Sequence, residues 1–256
     1  MANPNFTFVT AYLNLEDFEK RPPGKSNKEY FDHSLPLLKC GMPFIFFCEN
    51  SILKDIPDYN NDPLIKIIGF NIEDLKHYNS KFLNAHLPET RNEVKDTNFY
   101  MLVILQKIYW MQQVSEENPF NTKYFCWIDF GINHVLKLKQ EDYTRLLTNI
   151  NKVNIRNNII LPSNGMPPNN MQDFAGIFVD KFHECFLGGV IAGSKESLKI
   201  FADYQYNIVD NFVNSYNKIT WEVSIWMYIF ITEPKLIKTY KSSFDIRILE
   251  NFSLAV

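Results

Sequence analysis

Residues 124–134 read Tyr-Phe-Cys-Trp-Ile-Asp-Phe-Gly-Ile-Asn-His, and no other stretch restricts the fold as much. Five aromatic or apolar residues lead into Asp129, with Gly131 two positions further on. Such a run has the length and composition of a strand buried on both faces, the kind found in the middle of an α/β sheet. A carboxylate leaving a buried strand is costly unless something pairs with it. In open α/β sheets ligands bind outside the carboxyl ends of the strands. Asp129 therefore reads as a group for a metal ion or a polar ligand, and Gly131 lets backbone approach closely. The alternative is an Asp that caps the next turn, an ordinary role for Asp beside Gly.

The flanking sequence supplies the rest of such a sheet. Residues 6–13 are rich in aromatic and β-branched side chains and predict a first strand. After a loop containing Arg21, Pro22, Pro23 and Gly24, Ser26 with Glu29 resembles a capping box that starts a helix. Gly41 ends that helix, and residues 43–48 and 64–69 predict the second and third strands. Residues 96–114 give the clearest helix, with Phe99, Leu102, Val103, Gln106, Tyr109, Trp110 and Val114 at helical spacing and Asp96 or Thr97 as cap. Helical spacing returns at 143–150, from Ser194 through Ile208, and at 221–231. Residues 163–171 predict a surface loop able to cover a cleft, and 186–193 a Gly-punctuated strand or turn. Alternating strands and helices predict one layered α/β domain over residues 1–256, a mixed, mostly parallel sheet flanked by helices.

Composition narrows the partners. Hydrophobic residues make up 46% of the 256, ample for a large core. The net charge is −3 and the basic residues are scattered, which argues against nucleic acid as a partner. Cys40, Cys48, Cys126 and Cys185 lie far apart with no Cys-x-x-Cys pair, so free thiols in a reducing compartment are expected. No signal peptide is visible at the N-terminus, and the apolar runs are too short to span a bilayer. The expectation is a soluble, cytoplasmic protein, with peripheral membrane association and oligomeric state left open.

The Thr-Ala-Tyr strand, the Trp-Ile-Asp-Phe-Gly-Ile-Asn-His motif, the later Gly-Gly-x-x-x-Gly-Ser and the Trp-Glu before an apolar helix occur in that order. Together they resemble the HtrL/YibB family of bacterial proteins, associated with surface-polysaccharide loci and similar to glycosyltransferases of the GT-A type. The resemblance runs from about Phe6 to near Asp245. It implies a Rossmann-like GT-A fold and sugar transfer from a nucleoside-diphosphate sugar such as a UDP-sugar, usually with Mn²⁺ or Mg²⁺. The acceptor it implies is a surface glycan such as lipooligosaccharide or capsule. GT-A enzymes commonly place Asp-x-Asp after a strand to hold the cation. Here Asp129-Phe130-Gly131 lacks the second carboxylate, and His134 or His183 is the replacement to consider, although imidazole is a poor ligand for Mg²⁺.

By the same resemblance Thr10, Ala11 and Tyr12 lie beside the nucleotide base, with Tyr12 either stacking on it or serving as a core aromatic. Arg21 can fork onto phosphate oxygens or remain a solvated surface residue. Glu49 can meet the ribose or base, or close a turn. Lys107 interrupts an apolar helix, and it either points its ammonium at the diphosphate or belongs to a solvated face. Gly188, Gly189 and Gly193 admit a sugar against backbone or form a tight turn. Glu222 is the candidate general base, with partial burial expected to favour its protonated form and Trp221 available to stack on a sugar. Asp245 is the weaker candidate for that role. Two further classes remain: another nucleotide-using transferase, and a binding or assembly protein that has kept the fold without the chemistry.

Overall fold

The structure, a computed structural model, describes residues 4–19, 24–56, 62–165 and 185–255. Arg21, His183 and residues 166–171 of the expected loop lie outside the described residues.

Seven strands form one mixed sheet among the described residues: β1 (Phe6–Tyr12), β2 (Phe44–Glu49), β3 (Ile65–Phe70), β4 (Tyr124–Ile128), β5 (Ile159–Ser163), β6 (Val190–Ser194) and β7 (Ile237–Lys241). Their order across the sheet is β3-β2-β1-β4-β6-β5-β7. β1 is parallel to both β2 and β4, β2 to β3, and β5 to β7, whereas β6 runs antiparallel to β4 and β5. The chain winds outward from β1 to β3 and then returns to the other side of β1 with β4. That reversal makes the gap between the carboxyl ends of β1 and β4 a topological switch point, where a crevice opens for a ligand.

Alternation along the buried strands divides the core in two. Val9, Ile45, Phe47, Phe125 and Trp127 face α3 (Asn98–Glu117), α6 (Lys195–Tyr216) and α7 (Glu222–Thr232). Phe8, Phe44, Phe46, Cys126 and Ile128 face α1 (Asn27–Leu38), α5 (Gln140–Ile150) and α8 (Arg247–Glu250). Every residue of β2, β4, β5 and β6 is buried, as strands covered by helices on both faces require. Burying each such large apolar side chain contributes roughly 1.5–3 kcal/mol.

The helix signals in the sequence hold. The Ser26–Glu29 capping box starts α1, and Gly41 just beyond it has φ +78°, a conformation that favours glycine. Thr97, rather than Asp96, caps α3 by accepting from the Tyr100 amide at 3.1 Å. Asp96 instead accepts from the Asn92 amide. The segment left open as strand or turn is β6, in register with β4 from Tyr124↔Ser194 to Ile128↔Val190. Because β6 is reversed, its entry at Gly188 and Gly189 comes level with the exit of β4 at Asp129.

Candidate active site

A cavity of about 660 Å³ opens at this switch point. Its floor is the end of β1 (Ala11, Tyr12 and Leu13) and the turn after β4 (Asp129 to Ile132). α3 supplies Tyr100, Val103, Ile104 and Lys107 on one side, and the segment entering α1 supplies Gly24, Lys25 and Tyr30 on another.

Asp129 sits where the sequence places it, directly after the last residue of β4. Its amide donates to the Gly189 carbonyl at 3.0 Å, and its own carbonyl accepts from Ile132 at 3.0 Å. These bonds lock the turn. The carboxylate is fixed as firmly: Oδ1 accepts from the Trp127 indole N–H at 2.6 Å and lies 3.0 Å from Lys107 Nζ. Trp127 is held by parallel stacking on Trp110, centroids 5.9 Å apart. Both contacts fall on Oδ1, so Oδ2 is the oxygen left for a ligand, and the side chain is 38% exposed.

Lys107 is not on a solvated face. Its side chain is only 7% exposed, and its ammonium donates to the Gly188 carbonyl at 3.0 Å and to Glu222 Oε1 at 3.1 Å as well as meeting Asp129. Burial alone would drive its proton off, but Asp129 and then Glu222 hold its pKa well above the ordinary lysine value. Lys107 is therefore a fixed positive charge in the cavity wall.

The other expected site residues divide clearly. Ala11, Tyr12, Gly131, Gly189 and His134 line the cavity with Asp129 and Lys107. Tyr12 is nonetheless 6% exposed and packs against Tyr30, Phe31 and Phe130, with its hydroxyl donating to Asn27 at 2.9 Å. Its ring is a core aromatic that shows an edge to the cavity. Thr10 is fully buried and outside the lining, and its hydroxyl has no partner among the described residues.

Glu222 does not reach the cavity either. At 5% exposure it stands behind Lys107, and Trp221 beside it is a core residue at 6%. Gly188 and Gly193 each stand where the protein's own packing leaves little room for a Cβ. A Cβ on Gly188 would fall 2.4 Å from Glu222 Oε1, and one on Gly193 2.7 Å from Ile159 Cδ1. Glu49 closes a turn by accepting from the Ser51 amide at 2.9 Å and from the Ser51 hydroxyl. Asp245 is taken by Arg247 at 2.6 Å, and that guanidinium with Ser243 holds its carboxyl well below the usual range.

A divalent cation finds a restricted donor set here. Among the described residues no three His, Cys, Asp or Glu side chains gather to hold one. His134 Nδ1 lies 2.8 Å from Lys25 Nζ, while Nε2 is buried without a partner among the described residues. Burial, then Lys25 and His33, keep this imidazole below its ordinary pKa. Asp129 fits such a cation, since one carboxylate is enough for a hard ion whose other ligands are phosphate oxygens and water, and imidazole is the poorer ligand for it. When bound, such an ion would act as a Lewis acid on the phosphates.

Sequence reasoning passed over Lys25, Tyr30, Lys95, Tyr100 and Trp127 as lining residues. For Trp127 a signal existed: residues two apart on a strand share a face, so 127 and 129 point the same way. Lys25 and Lys95 belong to loops whose paths no local pattern dictates.

Fold and cavity define an α/β protein with a cavity lined by charged side chains at its switch point. The chain belongs to the HtrL/YibB family, described as bacterial proteins of unknown function, whose family model matches residues 48–248. No curated protein matches it. Similar solved structures include a glycosyltransferase involved in glycosylation of the major capsid of PBCV-1 (14% identity, 93% of this chain and 82% of that one, TM-score 0.44). Mouse xyloside xylosyltransferase 1 aligns at 10% identity over 92% and 84%, TM-score 0.43. A 4-diphosphocytidyl-2C-methyl-D-erythritol synthase from Anaerococcus prevotii aligns at 10% over 94% and 88%, TM-score 0.44. TM-scores this low do not define a shared site.

Proposed function

We propose that the protein is a glycosyltransferase that moves a sugar from a nucleoside-diphosphate sugar, a UDP-sugar, onto a bacterial surface glycan such as lipooligosaccharide or capsule. In this reading residues 1–256 act as one domain, in the cytoplasm. The observation that carries it is Asp129: a carboxylate at the switch point of the sheet, pinned through one oxygen, 38% exposed and lining the cavity. Lys25 and Lys95 in the cavity lining supply positive charge for a diphosphate. Tyr30 and Tyr100 put aromatic rings in the same lining, as contact surface for a base or sugar. Val94, Val135 and Phe244 are exposed and line the same cavity, which suits an acceptor that is partly apolar.

Within that site Asp129 would hold the cation, whose charge would offset that building on the departing diphosphate, and Lys25 and Lys95 would meet the phosphate oxygens. Calorimetry with a panel of nucleotides tests the reading. Binding of UDP in preference to purine nucleotides supports it. Absence of binding to every nucleotide, with and without Mn²⁺, refutes it. Incubation with UDP-sugar and no acceptor separates an active transferase from a binding protein, because only the former slowly releases UDP.

A further inference from the structure

Three charged groups meet at the cavity wall: Lys107 pairs with Asp129, which lines the cavity, and with Glu222, which does not. Lys107 Nζ is 3.1 Å from Glu222 Oε1 and 3.0 Å from Asp129 Oδ1. Glu222 and Lys107 side chains are each 7% exposed, against 38% for Asp129, so of the two carboxylates only Asp129 meets the cavity. A lysine whose one partner was Asp129 would cancel the charge that a cation needs. Here one positive charge is shared by two carboxylates, and the trio carries one net negative charge.

We propose that Glu222 is a positioning residue rather than a base: by taking up the charge of Lys107, it lets Lys107 orient Asp129 without neutralising it. This rests on the nucleotide-sugar reading and assigns a role within that site. The surroundings are built for it. Gly188 has no Cβ where Glu222 Oε1 lies, and its carbonyl takes another proton of Lys107 at 3.0 Å. Trp127 anchors the same Asp129 oxygen that Lys107 does, so neither fixing takes up Oδ2. Packing alone gives no reason for two buried charges in this wall, since an apolar pair of similar volume is commonly as stable.

The test is UDP affinity by calorimetry, in EDTA and in Mn²⁺, for the wild type, Glu222→Gln and Gly188→Ala, with folding checked by circular dichroism. In the wild type Mn²⁺ is expected to tighten UDP binding at least tenfold, and by linkage UDP tightens Mn²⁺ binding by the same factor. In Glu222→Gln that factor is expected to fall to threefold or less, while affinity in EDTA stays the same or improves because a negative charge near the phosphates is gone. A merely structural Glu222 would weaken both conditions together. Gly188→Ala pushes the carboxylate off Lys107 without deleting it, and serves if Glu222→Gln does not fold; the same direction is expected. A folded variant that keeps the wild-type factor overturns the proposal, as does wild-type binding indifferent to Mn²⁺, and both results leave the nucleotide-sugar reading standing. UDP that fails to bind in either condition removes both.

Discussion

Replacing Lys107 by methionine probes the buried charge cluster most directly. Methionine keeps the length and volume of the stem, so what is lost is the ammonium and its bonds to Glu222, Asp129 and Gly188. Each ion pair near 3 Å has a gross attraction of about 5 kcal/mol at an effective dielectric near 20, most of it offset by desolvation. The asymmetry of removal matters more. Glu222, 7% exposed, is left as a buried carboxylate without its cation, and removing one partner of a buried pair costs about 3–5 kcal/mol. For a chain of this size that lowers the melting temperature on the order of 10 °C. Urea unfolding followed by tryptophan fluorescence measures it. Lys107→Met/Glu222→Leu removes both partners and is expected to recover stability to within about 1 kcal/mol of the wild type. If Lys107→Met costs under about 1 kcal/mol, or the double variant is no better than the single, the picture of a tightly desolvated Lys107–Glu222 pair is wrong.

Asp129→Asn, nearly isosteric and partly exposed, is expected to lower sugar transfer at least a hundredfold while shifting the melting temperature by no more than a few degrees; unchanged turnover with a UDP-sugar removes Asp129 from the mechanism. Gly188→Ala is expected to cost about 1–3 kcal/mol in thermal melts, since the new methyl meets Glu222 Oε1 at 2.4 Å. Gly189→Ala, whose nearest contact would be 3.5 Å, is expected to be nearly neutral, and equal costs for the two would contradict the geometry. His77 is buried against Tyr109, and burial pushes its pKa down from 6.5 to about 4. A depressed histidine gives stability that is complete above pH 6.5 and is lost as pH falls toward 4, about 3 kcal/mol in all at about 1.4 kcal/mol per unit. Urea unfolding at pH 7 and pH 4 should show that loss in the wild type and a smaller one in His77→Gln.

How much of this was legible in the sequence depends on whether a residue's role is local. The run into Asp129 was readable because burial on both faces leaves a continuous apolar stretch, and a carboxylate at its end has few reasons to be there. The Ser26 and Ser194 caps were readable because their partners stand three residues away. β5 and β7 escaped notice for physical reasons: Pro162 breaks the strand pattern of Ile-Ile-Leu-Pro-Ser, and Lys238 and Lys241 mark β7 as an edge. In the site, the position of Asp129 was legible but the partner of Glu222 was not. A Trp-Glu at a helix start looks like a cap or an exposed base, and only the approach of α7 to α3 shows that Glu222 faces a lysine 115 residues earlier. That pairing arises from the sheet order, which brings Gly188 and Gly189 level with Asp129 by reversing β6. The Asp-x-Gly that looked like a motif short of one carboxylate is thus accompanied by a second acid from elsewhere in the chain, placed behind a lysine instead of beside the first. Its effect on the cavity is through charge, which no spacing rule along the sequence records.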